Sequence, residues 1–84
     1  MSNRNIKIQL ESGLEARLIA LLVQEASKYD SIVHIVSDDK RVNAKSIMGM
    51  MTLSLRSGEE VEVIAEGEDE EAAVNGIEAF LSGK

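Results

Sequence analysis

Apolar and polar residues follow two different periods along this chain, and the changes of period mark its elements. Ile6, Ile8 and Leu10 alternate with Asn5, Lys7 and Gln9, the two-residue repeat of a half-buried strand, which Ser12-Gly13 ends. From Ala16 the spacing lengthens. Ile19, Ala20, Val23 and Ala26 or Ser27 fall on one helical stripe, which predicts a helix ending near Tyr29. Leu14, Leu18, Leu21 and Leu22 lie outside that stripe and give the helix a broad apolar surface. Ile32 to Val36 is β-branched apart from His34 and reads as a strand. Ser37-Asp38-Asp39-Lys40 then forms a turn, and Arg41 to Ala44 a short hairpin partner. Ser46 opens a short helix through about Leu53, and Ser57-Gly58 turns the chain into an alternating strand, Glu60 to Ala65, which Gly67 breaks. Asp69 is an N-cap candidate for the last helix, and the acids Glu68 to Glu71 suit the positive end of its dipole. Ala73, Ile77, Phe80 and Leu81 form its buried face.

The order is therefore β-α-β-β-α-β-α. A four-stranded antiparallel sheet covered on one face by three helices satisfies both periods at once, an α+β open-faced two-layer sandwich. With 84 residues there is room for one domain, residues 1–84, that buries about 60–65% of its unfolded surface. Composition restricts how the core is made. Apolar residues are 44% of the chain, but Tyr29 and Phe80 are its only aromatics, so Leu, Ile, Val, Ala and Met must fill the interior. No cysteine is present, which excludes disulfides, thiolate metal sites and a thiol nucleophile. No apolar run approaches the ~20 residues of a membrane span. Met1-Ser2-Asn3-Arg4-Asn5 lacks the apolar stretch of a secretory signal, so a cytoplasmic protein is expected. Nine basic and fifteen acidic residues leave a formal charge of −6, which argues against direct binding to nucleic acid or anionic membranes. A basic protein partner is compatible with that charge, as is plain solubility.

Candidate chemistry gathers at residues 12–20 and 43–51. Ser46 follows Asn43-Ala44-Lys45 and precedes Ile47-Met48-Gly49-Met50-Met51. It reads either as a plain N-cap, whose hydroxyl stabilises the helix by roughly 1 kcal/mol, or as a phosphorylation site. A phosphate there would add about −1.5 to −2 charges at the positive helix end, where folding tolerates them. Ile47, Met48, Met50, Met51 and Leu53 are too many apolar residues for one face of a two-turn helix, so either some are exposed or the surplus packs against a neighbouring loop or helix. Exposed methionines adapt to differing partners because the side chain is unbranched and polarizable. Glu15 stands at the start of the first helix, with Arg17 close enough to pair with an anion. A lone glutamate without a second carboxylate or metal-ligand spacing is a poor general acid–base site, so no enzymatic activity is expected. His34, the single histidine, has no cysteine or second histidine for a zinc site and reads as a structural or surface residue. The run Glu66-Gly67-Glu68-Asp69-Glu70-Glu71 lacks EF-hand spacing and reads as a solvated helix start, with weak divalent-ion binding the remote alternative. Neither cofactor nor metal is expected.

Val42-Asn43-Ala44 followed by Lys45-Ser46-Ile47-Met48-Gly49-Met50-Met51 resembles the regulatory serine segment of the HPr family of the sugar phosphotransferase system. Glu66-Gly67-Glu68-Asp69-Glu70 resembles that family's approach to its last helix, and the likeness spans essentially the whole chain. The family's carrier motif, Gly-Leu-His-Ala-Arg-Pro, here reads Gly13-Leu14-Glu15-Ala16-Arg17-Leu18. Glu15 replaces the phosphate-carrying histidine. A carboxylate would have to form an acyl phosphate in a site shaped for imidazole, so ordinary carrier activity is not expected. Loss of the histidine with retention of the serine block is similar to the Crh class of the family, although that class has glutamine and proline where this chain has Glu15 and Leu18.

The resemblance implies phosphorylation of Ser46 by HPr kinase/phosphorylase and corepression with a CcpA-type transcription factor. It implies Arg17 as the neighbour of the phosphate, and Ala20, Ile47, Met48 and Met51 as apolar partner contacts. Direct contact with nucleic acid or membrane is not implied, and the chain is expected as a monomer or weak homodimer, since an open sheet has edges that can pair. Two rivals stand beside this reading: a residual phosphocarrier using Glu15, and a constitutive interaction module in which Ser46 is only a cap. Glu15, negatively charged at neutral pH, could mimic part of a phosphohistidine's charge or simply favour the helix start.

Overall fold

The computed structural model describes residues 1–10, 15–38, 40–53 and 56–83. Its elements are β1 (Ser2–Lys7), α1 (Ala16–Ser27), β2 (Ile32–Ser37), β3 (Lys40–Asn43), α2 (Ile47–Met50), β4 (Glu60–Glu66) and α3 (Glu70–Leu81). The strands form one sheet in the order β1-β4-β2-β3, and every neighbouring pair is antiparallel. Because β4 runs antiparallel to both β1 and β2, those two strands are parallel to each other, and α1 is the crossover between them. The α+β open-faced sandwich expected from the periodicity is the architecture observed.

Register follows the apolar alternation. Ile6 pairs with Val61, Val63 with Ile35, Ala65 with Val33, and Ile35 with Val42, which places the inward-facing residues side by side. A one-residue slip would turn that whole set to the opposite face. The helices cover this face: α3 packs on β1 and β4, α1 on α3, and α2 between α1 and β3. Ile8, Leu22, Ile35, Met50, Ile77 and Leu81 are the largest fully buried side chains of an aliphatic core. The opposite face of the sheet carries Asn5, Glu62, Ile64, His34 and Asn43, so it lacks the apolar continuity of the packed face.

Several boundaries and one stripe differ from the sequence-based expectation. β1 begins at Ser2, earlier than the alternation of Ile6, Ile8 and Leu10 suggests, because pairing with β4 reaches Ser2 opposite Ala65. α1 ends at Ser27, although Lys28 and Tyr29 still donate to the carbonyls of Glu25 and Ala26. Leu22, placed outside the main stripe, is instead fully buried with Ile19 and Ala26, while Ala20 and Val23 sit at its margin. The helical phase is thus rotated toward Leu22, and Leu21 is left exposed. Leu14, the Ser12-Gly13 strand end and Asp39 of the hairpin turn lie outside the described residues.

Asp69 occupies the N-cap position of α3 but makes no capping bond with its side chain. Its carboxylate turns to the α1–β2 junction and accepts from the Asp30 N–H and the Ser31 N–H, both at 2.9 Å, and from the Ser31 hydroxyl. Two backbone donors and a hydroxyl outcompete one helix-start amide. These bonds, the Ser31 hydroxyl foremost, hold the Asp69 carboxyl below the ordinary aspartate range. Glu70 supplies the local bond instead, accepting the Gly67 N–H at 3.2 Å, and that backbone donor is the main reason its carboxyl is also lowered.

Candidate functional site

α2 is short, and side chains fix both its ends. The Asn43 side-chain oxygen accepts the Lys45 N–H at 2.8 Å while the Asn43 carbonyl accepts the Ser46 N–H at 3.0 Å, which turns the chain out of β3. Ser46 then adopts an extended backbone (φ −102°, ψ 110°), and its Oγ accepts the Gly49 N–H at 3.2 Å. This is the N-cap that the sequence predicts. At the other end the Thr52 hydroxyl donates to the Gly49 carbonyl at 2.7 Å. The helix closes at Met50, short of Leu53, because only turns follow.

The surplus of apolar residues is resolved by exposure. Met50 is fully buried and Leu53 nearly so, while Ile47, Met48 and Met51 remain 45%, 80% and 56% exposed. Ser46 is itself exposed. A capping hydroxyl that solvent can reach therefore stands at the edge of an uncovered apolar patch. Leu21 is the exposed large apolar residue of α1, the helix packed against α2.

Glu15 is extended (φ −88°, ψ 168°) at the N-cap of α1, where its carbonyl accepts the Ile19 N–H at 2.7 Å and its exposed side chain makes no capping bond. Arg17 is exposed and has no hydrogen bond or ion pair among the described residues. Ala20 is half-buried. The packing of α1 on α2 puts these residues and the Ser46 segment on adjacent helices of one layer. His34 lies elsewhere: it belongs to the uncovered face of the sheet, lining a shallow hollow with Ile32, Arg41 and Ile64. Among the described residues, no group of His, Asp and Glu is arranged to hold a metal.

One residue beside the serine was not singled out from sequence. The Lys45 ammonium donates to the Tyr29 carbonyl at 2.6 Å, tying the Ser46 segment to the turn that follows α1. Tyr29 is fixed in turn by its hydroxyl, which donates to Glu25 at 2.9 Å. Burial first, and the Glu25 carboxylate second, push the Tyr29 phenol up, whereas Lys28 foremost holds the Glu25 carboxyl down. The contact from Lys45 crosses 16 positions, and no local pattern announces it.

The sandwich leaves one sheet face bare, and on its helical side a capped serine stands beside exposed methionines. Residues 2–83 match the family described as "PTS HPr component phosphorylation site". The chain is 46% identical over 81 residues to the HPr-like protein Crh of Bacillus subtilis, covering 96% of this chain and 95% of that protein. Its structure is similar to the crystal structure of HPr-C-His from Thermoanaerobacter tengcongensis, with a TM-score of 0.91, 42% identity, and coverage of 100% and 98% of the two chains. It is also similar to crystalline Bacillus subtilis Crh, which forms an intertwined, swapped dimer; there the TM-score is 0.79, the identity 44%, and the coverage 100% and 97%. This chain belongs to the HPr family.

Proposed function

We propose that this chain is a non-catalytic regulatory member of the family, phosphorylated on Ser46 by HPr kinase/phosphorylase in the cytoplasm. It then acts as corepressor or effector in carbon catabolite regulation, with a CcpA-type transcription factor as its partner. The observation that carries the reading is the pairing at α2: an exposed Ser46 hydroxyl on the helix start, flanked by the uncovered Ile47, Met48 and Met51. A phosphate on that oxygen replaces a weak neutral cap with about −1.5 to −2 charges beside the free N–H groups of the first turn. Arg17 of α1 serves as its charge-assisted partner. Ala20, Ile47, Met48 and Met51 supply the apolar contact, so the partner reads charge and apolar surface together.

Glu15 stands where the resemblance places the carrier histidine, and the chain is therefore not a phosphocarrier. The Crh relative forms a swapped dimer; for this chain, whose open sheet has edges that can pair, we expect a monomer or weak homodimer. The test has two arms. The kinase-treated chain should bind a CcpA-type regulator at least ~10-fold more tightly than the untreated chain or Ser46→Ala, a gain typical of charge-assisted contacts. Incubation with enzyme I and phosphoenolpyruvate should leave the protein unlabelled. Equal binding of treated and untreated chain, or label delivered by enzyme I, overturns the proposal.

A further inference from the structure

All four methionines of the chain are described, and they divide by exposure. Met50 points into the core, fully buried, whereas Met48 is 80% and Met51 56% exposed on the other side of the same short segment. Met1 is also exposed, but it lines the hollow on the uncovered sheet face with Ile32 and His34. One helical turn thus holds two reactive thioethers and one protected thioether, and a third reactive thioether lies away from the Ser46 patch. We propose that Met48 and Met51 are a redox modification site, whose conversion to sulfoxides by a peroxide switches off the surface beside Ser46. This inference rests on the functional reading above, because it concerns the same surface.

The chemistry balances without help from the protein. A sulfur lone pair attacks one peroxide oxygen and forms an S–O bond as the O–O bond breaks; the other oxygen leaves as hydroxide and takes the proton from the sulfur-bound OH, giving sulfoxide and water. The sulfur loses two electrons and the peroxide gains them. Access of the peroxide to sulfur decides which methionine reacts. Burial protects Met50, so the core keeps its anchor and α2 stays folded while its outer face changes. That outer face passes from flexible apolar thioethers to polar sulfoxides with a strong acceptor oxygen. Covering such an oxygen with an apolar partner surface without giving it a hydrogen bond is unfavourable, and the modification therefore opposes docking. Methionine sulfoxide reductases reverse the product, so the site can be reset. The modification leaves the charge at Ser46 untouched, and the two signals act on one surface independently.

The test uses the folded chain, phosphorylated on Ser46 and partly oxidised with dilute hydrogen peroxide that is removed by catalase before mixing. Peptide mass spectrometry should find Met48 and Met51 oxidised at least ~10-fold faster than Met50, with Met1 oxidised as well. The mixture is then offered in excess to a CcpA-type regulator, and the bound and unbound fractions are compared. The bound fraction should be depleted about 10-fold in Met48 and Met51 sulfoxides, as loss of a buried apolar contact requires, while Met1 sulfoxide is spread evenly. Reductase treatment should return the unbound fraction to binding. Oxidation of Met50 as fast as Met48, or equal Met48 and Met51 sulfoxide in the two fractions, overturns the switch while leaving the functional reading standing. Failure of the unoxidised phosphorylated chain to bind overturns that reading, and the switch with it.

Discussion

The division of labour within α2 is open to a direct test, because Met48 and Met50 share a four-residue helix and differ chiefly in exposure. Replacing each by alanine removes the same atoms and changes the same local propensity, so the comparison isolates burial. Met50 is fully covered by the core, and truncating such a methionine destabilises by about 2–5 kcal/mol, transfer and cavity together. Met48 is 80% exposed, leaving about a fifth of its side chain covered; against about 1.5–3 kcal/mol for complete burial, that amounts to ~0.3–0.6 kcal/mol. For a chain of this size each kcal/mol shifts Tm by about 4–8 °C. Met50→Ala should therefore lower Tm by at least about 8 °C and Met48→Ala by less than about 5 °C, measured by thermal melts in far-ultraviolet circular dichroism. Equal losses for the two variants, or a larger one for Met48→Ala, would refute the assignment of α2's inner and outer faces.

Two glycines of positive φ and the carboxylate bonds of Asp69 and Glu25 give further expected outcomes. Gly67 has φ +153°, and a Cβ there would lie 2.6 Å from Ser31 Oγ and 2.8 Å from its Cα, so Gly67→Ala should cost roughly 2–5 kcal/mol in urea unfolding. Gly58→Ala, at φ +93° in open space, should lose about 1–3 kcal/mol from backbone strain alone. Asp69 has a lowered carboxyl, so its contribution to stability is present above the ordinary value of 3.8 and is lost as pH falls through the folded-state value. The stability difference between the wild-type chain and Asp69→Asn should be flat from neutral pH to about pH 5 and shrink below 3.8 in acid titrations of unfolding. Tyr29 is raised, so its contribution is present below 10.0 and lost as pH rises through the folded-state value; ultraviolet titration should place phenolate formation above 10.0 and nearer to it in Glu25→Gln.

Residues whose partners are near in sequence were legible, and residues held from afar were not. The Ser46 cap, the strand alternation of Val61, Val63 and Ala65, and the exposure of part of the Ile47–Met51 run all rest on spacing within one or two turns. Asp69 carried the composition of a helix cap, yet its donors lie 38 and 39 positions away, and a local rule cannot weigh them. Arg4 is a similar instance, since its guanidinium bonds Glu78 at 2.6 Å and Asn75 at 2.8 Å on α3, contacts that exist only once β1 lies beneath that helix. Leu22 shows a different limit. Leu18, Leu21 and Leu22 are chemically alike, and the choice of which one faces the core depends on how α1 is rotated against α3 and the sheet. At the candidate site the residue types were readable, whereas the strap from Lys45 to Tyr29 emerged only from the fold.

If the Ser46 hydroxyl is placed to receive a signal, a phosphate delivered to the chain should be found on that residue. The intact chain is incubated with HPr kinase/phosphorylase and ATP, then digested and mapped by mass spectrometry. A single phosphate on Ser46 is expected, and none in Ser46→Ala. A chain that stays unmodified, or one that carries its phosphate on another residue, would contradict it.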